Sequence, residues 1–118
     1  MRILIVDDNE VIRAMLRHLL THLGHDVIGE AGTGAEAIEA FKKNRPEMTS
    51  LDISLPDMNG LEVLKALRAE DPAAKVVVVT GNNAEVLRRD ALAGGAQTVL
   101  HKPFDMKALQ KAFGGAPK

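Results

Sequence analysis

Apolar residues recur along the chain with two alternating spacings. The short runs RILIV (2–6), DVIGE (26–30), EMTSL (47–51), KVVVV (75–79) and TVL (98–100) have the length and β-branched content of strands. Between them the spacing lengthens to three and four residues. Val11, Ile12, Met15, Leu16, Leu19, Leu20 and Leu23 predict a helix over 10–23 with these residues as its core face. Segments 34–43, 60–69, 84–93 and 105–113 repeat that pattern more weakly. Thr33 with Glu36, Asn59 with Glu62, and Asn82 with Glu85 have the spacing of a capping box, loosely for the two asparagines. Pro46 and Pro72 precede strands, while Gly24 and Gly94-Gly95 fall where helices should end.

Five alternations of strand and helix imply an α/β, doubly wound parallel sheet with five strands and helices on both faces, because parallel neighbours need right-handed crossovers. Ligands of such sheets bind outside the carboxyl ends of the strands, at the switch point of the strand order. The residues that follow the strands are therefore the candidates. They are Asp7 and Asp8 after the first, Asp52 after the third, Thr80 after the fourth and Lys102 after the fifth. With the strand order 2-1-3-4-5, the first and third strands are neighbours and the three aspartates converge.

Composition narrows what this cluster serves. The 118 residues suit one domain, with its core over 2–113 and GGAPK (114–118) as a flexible tail. Lys and Arg (15) nearly balance Asp and Glu (16), which gives no electrostatic reason to expect a nucleic acid or an anionic membrane as partner. Cysteine is absent, so disulfides and thiolate metal sites are excluded. No run approaches the roughly 20 apolar residues of a membrane span, and residues 3–6 are too short for an export signal; a cytoplasmic protein is expected.

Three clustered carboxylates repel one another unless a cation joins them. Mg2+ is the natural candidate, because it takes hard oxygen ligands and usually binds one or two carboxylates together with a phosphate. Lys102 offers a point charge to a phosphoryl oxygen, and the Thr80 hydroxyl offers a hydrogen bond. The set reads as a phosphoryl-transfer site, where positioning and charge neutralisation supply most of the catalysis. No Ser-His pair or cysteine is evident, so a carboxylate would be the nucleophile.

The motifs LIVDD, LDISLPDMNG, VVVVTG and HKPF stand in the order and spacing of the receiver domain of bacterial two-component response regulators. The chain resembles that CheY-like family, of flavodoxin-like strand order, over essentially all of residues 2–113. The resemblance implies that Asp52 accepts a phosphoryl group from a sensor histidine kinase or a histidine phosphotransfer protein. It implies that Asp8, Asp52 and the Ser54 backbone carbonyl bind Mg2+, with Asp7 acting through a water molecule. Thr80 and Lys102 would contact the phosphoryl oxygens, and Lys102-Pro103 matches a cis bond. Phosphorylation would switch a protein-binding face formed by the fourth helix, fifth strand and fifth helix, which carries Arg88, Arg89, Lys107 and Lys111. The protein would be a monomer or a phosphorylation-dependent dimer, and a binding switch without an output domain rather than an enzyme beyond its own phosphotransfer and dephosphorylation.

Other readings compete residue by residue. Asp7 and Asp8 alone would suit a helix N-cap, Asp52 a turn, Thr80 a strand-end hydroxyl and Lys102 a solvated lysine. A Mg2+-dependent aspartyl-phosphate phosphatase or mutase lacks its usual acid two residues after the nucleophile, where Ser54 stands. A degenerate receiver that binds partners without phosphorylation is disfavoured by the full set of five site residues. GTGAEA carries Gly32, Gly34 and Ala37 in a dinucleotide-like spacing, yet a glycine turn and capped helix explain it better. His18, His22 and His25 suggest zinc, against which a solvated face is favoured.

Two departures from the family pattern stand out, at Thr49-Ser50 and at Val99. Thr49 and Ser50 interrupt what should be an apolar central strand, so their hydroxyls must find partners or the strand is weakened. Val99 occupies a position where many receivers carry Tyr or Phe. Ser54 and Asn82 fall two residues beyond Asp52 and Thr80, where the family tunes the phosphoryl lifetime.

Overall fold

The structure is a computed structural model that describes residues 1–81 and 85–115. Five strands alternate with five helices: β1 (Arg2–Val6), α1 (Glu10–His22), β2 (Asp26–Ala31), α2 (Gly34–Asn44), β3 (Met48–Asp52), α3 (Gly60–Glu70), β4 (Lys75–Thr80), α4 (Glu85–Ala93), β5 (Thr98–His101) and α5 (Met106–Phe113). The strands form one parallel sheet in the order β2-β1-β3-β4-β5. Each expected strand is present, and β3 and β4 run one residue further than expected, so Asp52 and Thr80 end their strands. The expected Asn82 cap lies outside the described residues, as do residues 116–118.

Side chains alternate between two cores, one on each sheet face. Leu4, Val6, Leu51, Val76 and Val78 pack with Phe41, Leu64 and Leu67, while Ile3, Ile5, Val77 and Val79 pack with Leu16, Leu20, Leu109 and Phe113. Burial on both faces is why β1 and β4 read as unbroken apolar runs rather than as alternations. β3 breaks the rule. Thr49 and Ser50 are buried on opposite faces, and neither hydroxyl has a hydrogen-bond partner. The strand therefore carries two uncompensated polar groups at the centre of the sheet.

The core face expected for α1 needs correction. Leu16, Leu20 and Leu23 are buried, but Val11 is 74% exposed and Met15 39%. At about 100° per residue, Val11 lies about 180° and Met15 about 140° around the helix from Leu20, so neither points at the sheet.

Thr33 caps α2 with the expected spacing, Asn59 caps α3 through Leu61 rather than Glu62, and Asp105 caps α5 without having been expected to. Thr33 Oγ1 accepts from the Glu36 amide at 3.1 Å and Asn59 Oδ1 from that of Leu61 at 2.8 Å, while Asp105 Oδ1 accepts from Ala108 at 2.8 Å. Gly24 and Gly95 hold positive φ of 91° and 100° just past α1 and α4. α2 ends without a glycine: Arg45 takes φ 46°, and the Arg2 guanidinium donates to the carbonyls of Asn44 (2.6 Å) and Arg45 (2.8 Å).

Candidate functional site

β1 and β3 pair in parallel with Val6 opposite Leu51, so the residues that follow both emerge at one edge. Asp7 and Asp52 are 1% and 4% exposed and Asp8 is exposed, and an oxygen from each lies within 4.8 Å of the others. The three aspartates singled out by the strand pattern do converge. Lys102 reaches in from beyond β5, with Nζ 2.9 Å from Asp7 Oδ2 and 3.7 Å from Asp52 Oδ2. Its peptide bond to Pro103 is cis. Thr80 is 2% exposed at the end of β4, one residue past the partner of Asp52, and its carbonyl accepts from the Lys102 amide at 2.8 Å.

Asp7 and Asp8 do not cap α1. Asn9 does, accepting from the amides of Val11 (2.9 Å) and Ile12 (3.1 Å), while Asp7 Oδ1 accepts from the Asn9 amide at 2.9 Å. The Arg13 guanidinium donates to the Asp7 carbonyl at 2.6 Å and pairs with Glu30 at 3.1 Å. Arg13 escaped the sequence reading because its contacts are a backbone atom and a residue of another strand.

Burial pushes the Asp52 carboxyl above the usual carboxylate range. The Ser54 amide and the Lys102 ammonium pull it down, while Asp7 and Asp8 push it up. Desolvation and like charge outweigh the donors, so the site disfavours its own ionised carboxylate.

The loop after Asp52 folds back on the strand. The Ser54 amide donates to Asp52 Oδ1 at 3.1 Å, and Ser54 bridges Asn59. The Gly60 amide donates to the Ile53 carbonyl at 3.0 Å; a Cβ there would sit 2.4 Å from Ile53 Cα, so only glycine fits. Asp57 accepts from the amides of Gly34 (2.7 Å) and Ala35 (3.0 Å) at the start of α2. Sequence reasoning gave Asp57 no role, because its partners lie more than 20 residues away.

The competing motifs resolve into structure. The helix start in GTGAEA already holds an internal carboxylate, that of Asp57, where a dinucleotide phosphate would sit. His25 is buried: the N-terminal ammonium donates to its Nδ1 at 3.3 Å, which leaves Nε2 to donate to the Gly114 carbonyl at 2.9 Å. His18 and His22 are exposed on α1, lining a groove of about 720 Å3 that contains none of the five site residues. Among the described residues the only group of three metal-ligating side chains is Asp7, Asp8 and Asp52.

Comparison with known proteins agrees with this geometry. Residues 3–114 match the response regulator receiver domain family. The chain is 35% identical to the chemotaxis protein CheY of Thermotoga maritima, covering 99% of this chain and 98% of that protein. It is 33% identical to CheY of Bacillus subtilis, covering 95% and 93%. Its fold is similar to the CheX-CheY-BeF3-Mg2+ complex from Borrelia burgdorferi, with TM-score 0.90, 29% identity, and coverage of 96% and 89%. A Burkholderia pseudomallei response regulator with a phosphorylated aspartic acid and a calcium ion matches with TM-score 0.86 and 28% identity, over 94% of this chain and 65% of that one. The chain belongs to the response regulator receiver domain family, as a CheY-like phosphoacceptor of two-component signalling.

Proposed function

We propose that Asp52 takes a phosphoryl group, in a Mg2+-dependent reaction, from a phosphohistidine on a sensor histidine kinase or a histidine phosphotransfer protein. One observation carries this reading: the buried Asp52 carboxylate meets two further carboxylates and one ammonium at the carboxyl end of the central strand. An Asp52 oxygen attacks phosphorus. The P–O bond forms as the P–N bond breaks, and the departing nitrogen keeps the bonding pair and takes up a proton. Burial makes this carboxylate more basic than an exposed one, which favours its attack. A groove of about 380 Å3 lined by Ile12, Met15, Pro103 and Phe104 opens beside Lys102, which suits a donor that is itself a protein.

The donor set fits Mg2+. Asp7, Asp8 and Asp52 offer only hard oxygens, and three carboxylates against one ammonium leave the site negative. Asp8, Asp52 and the Ser54 carbonyl would hold the ion, with Asp7 acting through water. Bound there, it would neutralise charge on the carboxylates and the phosphoryl oxygens. Lys102 and the Thr80 hydroxyl engage the transferred group.

Phosphorylation adds nearly two negative charges at Asp52. Thr80 moves toward them and biases a two-state equilibrium in α4, β5 and α5. That face, with Arg88, Arg89, Lys107 and Lys111 exposed, receives the downstream protein target. Val99 is half-buried against the core where many receivers place an aromatic ring, so the signal passes through packing rather than ring rotation. The protein acts in the cytoplasm, as a monomer or a phosphorylation-dependent dimer, and its chemistry is confined to its own phosphotransfer and dephosphorylation. Among the described residues no helix is long and apolar enough to cross a membrane.

Intact mass after incubation with Mg2+ and acetyl phosphate tests the reading. One phosphoryl adduct on the wild type, absent in Asp52→Ala and with Mg2+ chelated, is expected. If no adduct forms, and beryllium fluoride with Mg2+ leaves the NMR spectrum unchanged, the reading falls.

A further inference from the structure

The loop from Ile53 to Asn59 carries Ser54, whose amide orients Asp52, and it is pinned at two places. At its end, Gly60 packs directly on Ile53. At its tip, both oxygens of Asp57 are taken by the first amides of α2, from Gly34 at 2.7 Å and Ala35 at 3.0 Å. Met58 fills the space beside Gly34, where a Cβ would fall 2.3 Å from Met58 Cγ. These amides have no partner within their own helix, so an external carboxylate satisfies them and meets the positive end of the helix dipole. The Asp57 carboxyl is accordingly held below its ordinary range by the Gly34 and Ala35 amides.

We propose that Asp57 is a positioning residue for the phosphoacceptor site: by clamping the loop to α2, it holds the Ser54 backbone where it orients Asp52. The inference rests on the function proposed above, which assigns the Ser54 carbonyl to the metal. Asp57 itself is exposed and, among the described residues, makes no hydrogen bond or ion pair with any of the five site residues, so its effect passes through the backbone of residues 54–57. Groups that orient a ligand in this way commonly set metal affinity by about tenfold or more.

The test compares wild type with Asp57→Ala and Asp57→Asn. Mg2+ affinity is read by calorimetry, since the chain has no Trp or Tyr to report by fluorescence. Ser54 amide exchange is read by NMR without metal. Asp57→Ala should weaken Mg2+ binding by about tenfold and speed exchange at Ser54, and Asp57→Asn, which keeps one acceptor oxygen, should fall between. A lowered Tm with Ser54 exchange and Mg2+ affinity both as in wild type would overturn the inference and leave Asp57 a staple of the fold alone. Wild type failing to bind Mg2+ would sink the proposed function instead, and the Ser54 exchange comparison would still decide the clamp.

Discussion

Lys102 Nζ donates to Asp7 Oδ2 at 2.9 Å and stands 3.7 Å from Asp52 Oδ2, so one ammonium serves two buried carboxylates. Among the described residues it is the one cation that forms an ion pair with either side chain. Removing one partner of a buried pair leaves its charge uncompensated and costs about 3 kcal/mol or more, here reduced because the Lys102 side chain is partly exposed. Lys102→Met should therefore lower stability by about 2 kcal/mol in chelator. It should also bind Mg2+ more tightly than wild type, because the ion no longer competes with an ammonium. Urea denaturation with and without Mg2+ checks both, and equal Mg2+ affinity in the two proteins would contradict the account.

Asp52 and Asp57 pull the pH dependence of stability in opposite directions. The Asp52 carboxyl is raised by burial, so its contribution to stability is fully present below the unfolded value of about 3.9 and is lost as pH rises through the folded value. The Asp57 carboxyl is lowered by the α2 amides; its contribution is present above about 3.9 and is lost as pH falls through the folded value. In chelator at neutral pH, Asp52→Asn should be more stable than wild type, and the gap should close in acid. Asp57→Ala should be less stable at neutral pH, with its deficit also closing in acid. Denaturation curves collected from acid to neutral pH decide it, and a deficit for Asp52→Asn at neutral pH would refute the first half.

Thr49 and Ser50 yield a prediction free of the site chemistry. Each hydroxyl is buried without a partner in the central strand, at a cost of about 1–3 kcal/mol. Thr49→Val keeps the shape and removes the polar atom; Ser50→Ala removes the polar atom on the opposite face and leaves only a small space. Each should raise stability by about 1 kcal/mol. A loss of stability in either variant would mean that its hydroxyl is satisfied in solution.

The pattern along the chain revealed the alternating strands and the five residues at their carboxyl ends, because buried parallel strands leave unbroken apolar runs, while the strand order that makes those ends converge came from the family resemblance. What escaped it depended on angle or distance. Val11 and Met15 are apolar and near the right spacing, yet a helix converts a one-residue offset into about 100° of rotation. Asn9 displaced the aspartates as cap because Asp7 was already committed to the site. Arg2, Arg13 and Asp57 act through backbone atoms of other elements, and no local spacing encodes such a contact.

Gly34 and Gly60 look alike in sequence, each opening a helix beside the site, but their surroundings set different outcomes. A Cβ on Gly34 would meet the flexible side chain of Met58 at 2.3 Å, whereas one on Gly60 would meet the Ile53 backbone at 2.4 Å and the Asp52 carbonyl at 2.9 Å. A side chain can move aside and the strand end that carries Asp52 cannot. Gly34→Ala should cost about 1–3 kcal/mol by overpacking and be largely relieved in Gly34→Ala/Met58→Ala, which vacates the contact. Gly60→Ala should cost more and should also impair phosphorylation of Asp52, because relief requires the Ile53 backbone to shift. Thermal denaturation and acetyl phosphate labelling of the three variants separate the cases. A Gly60→Ala protein with wild-type labelling would show that the loop can be displaced without disturbing the site.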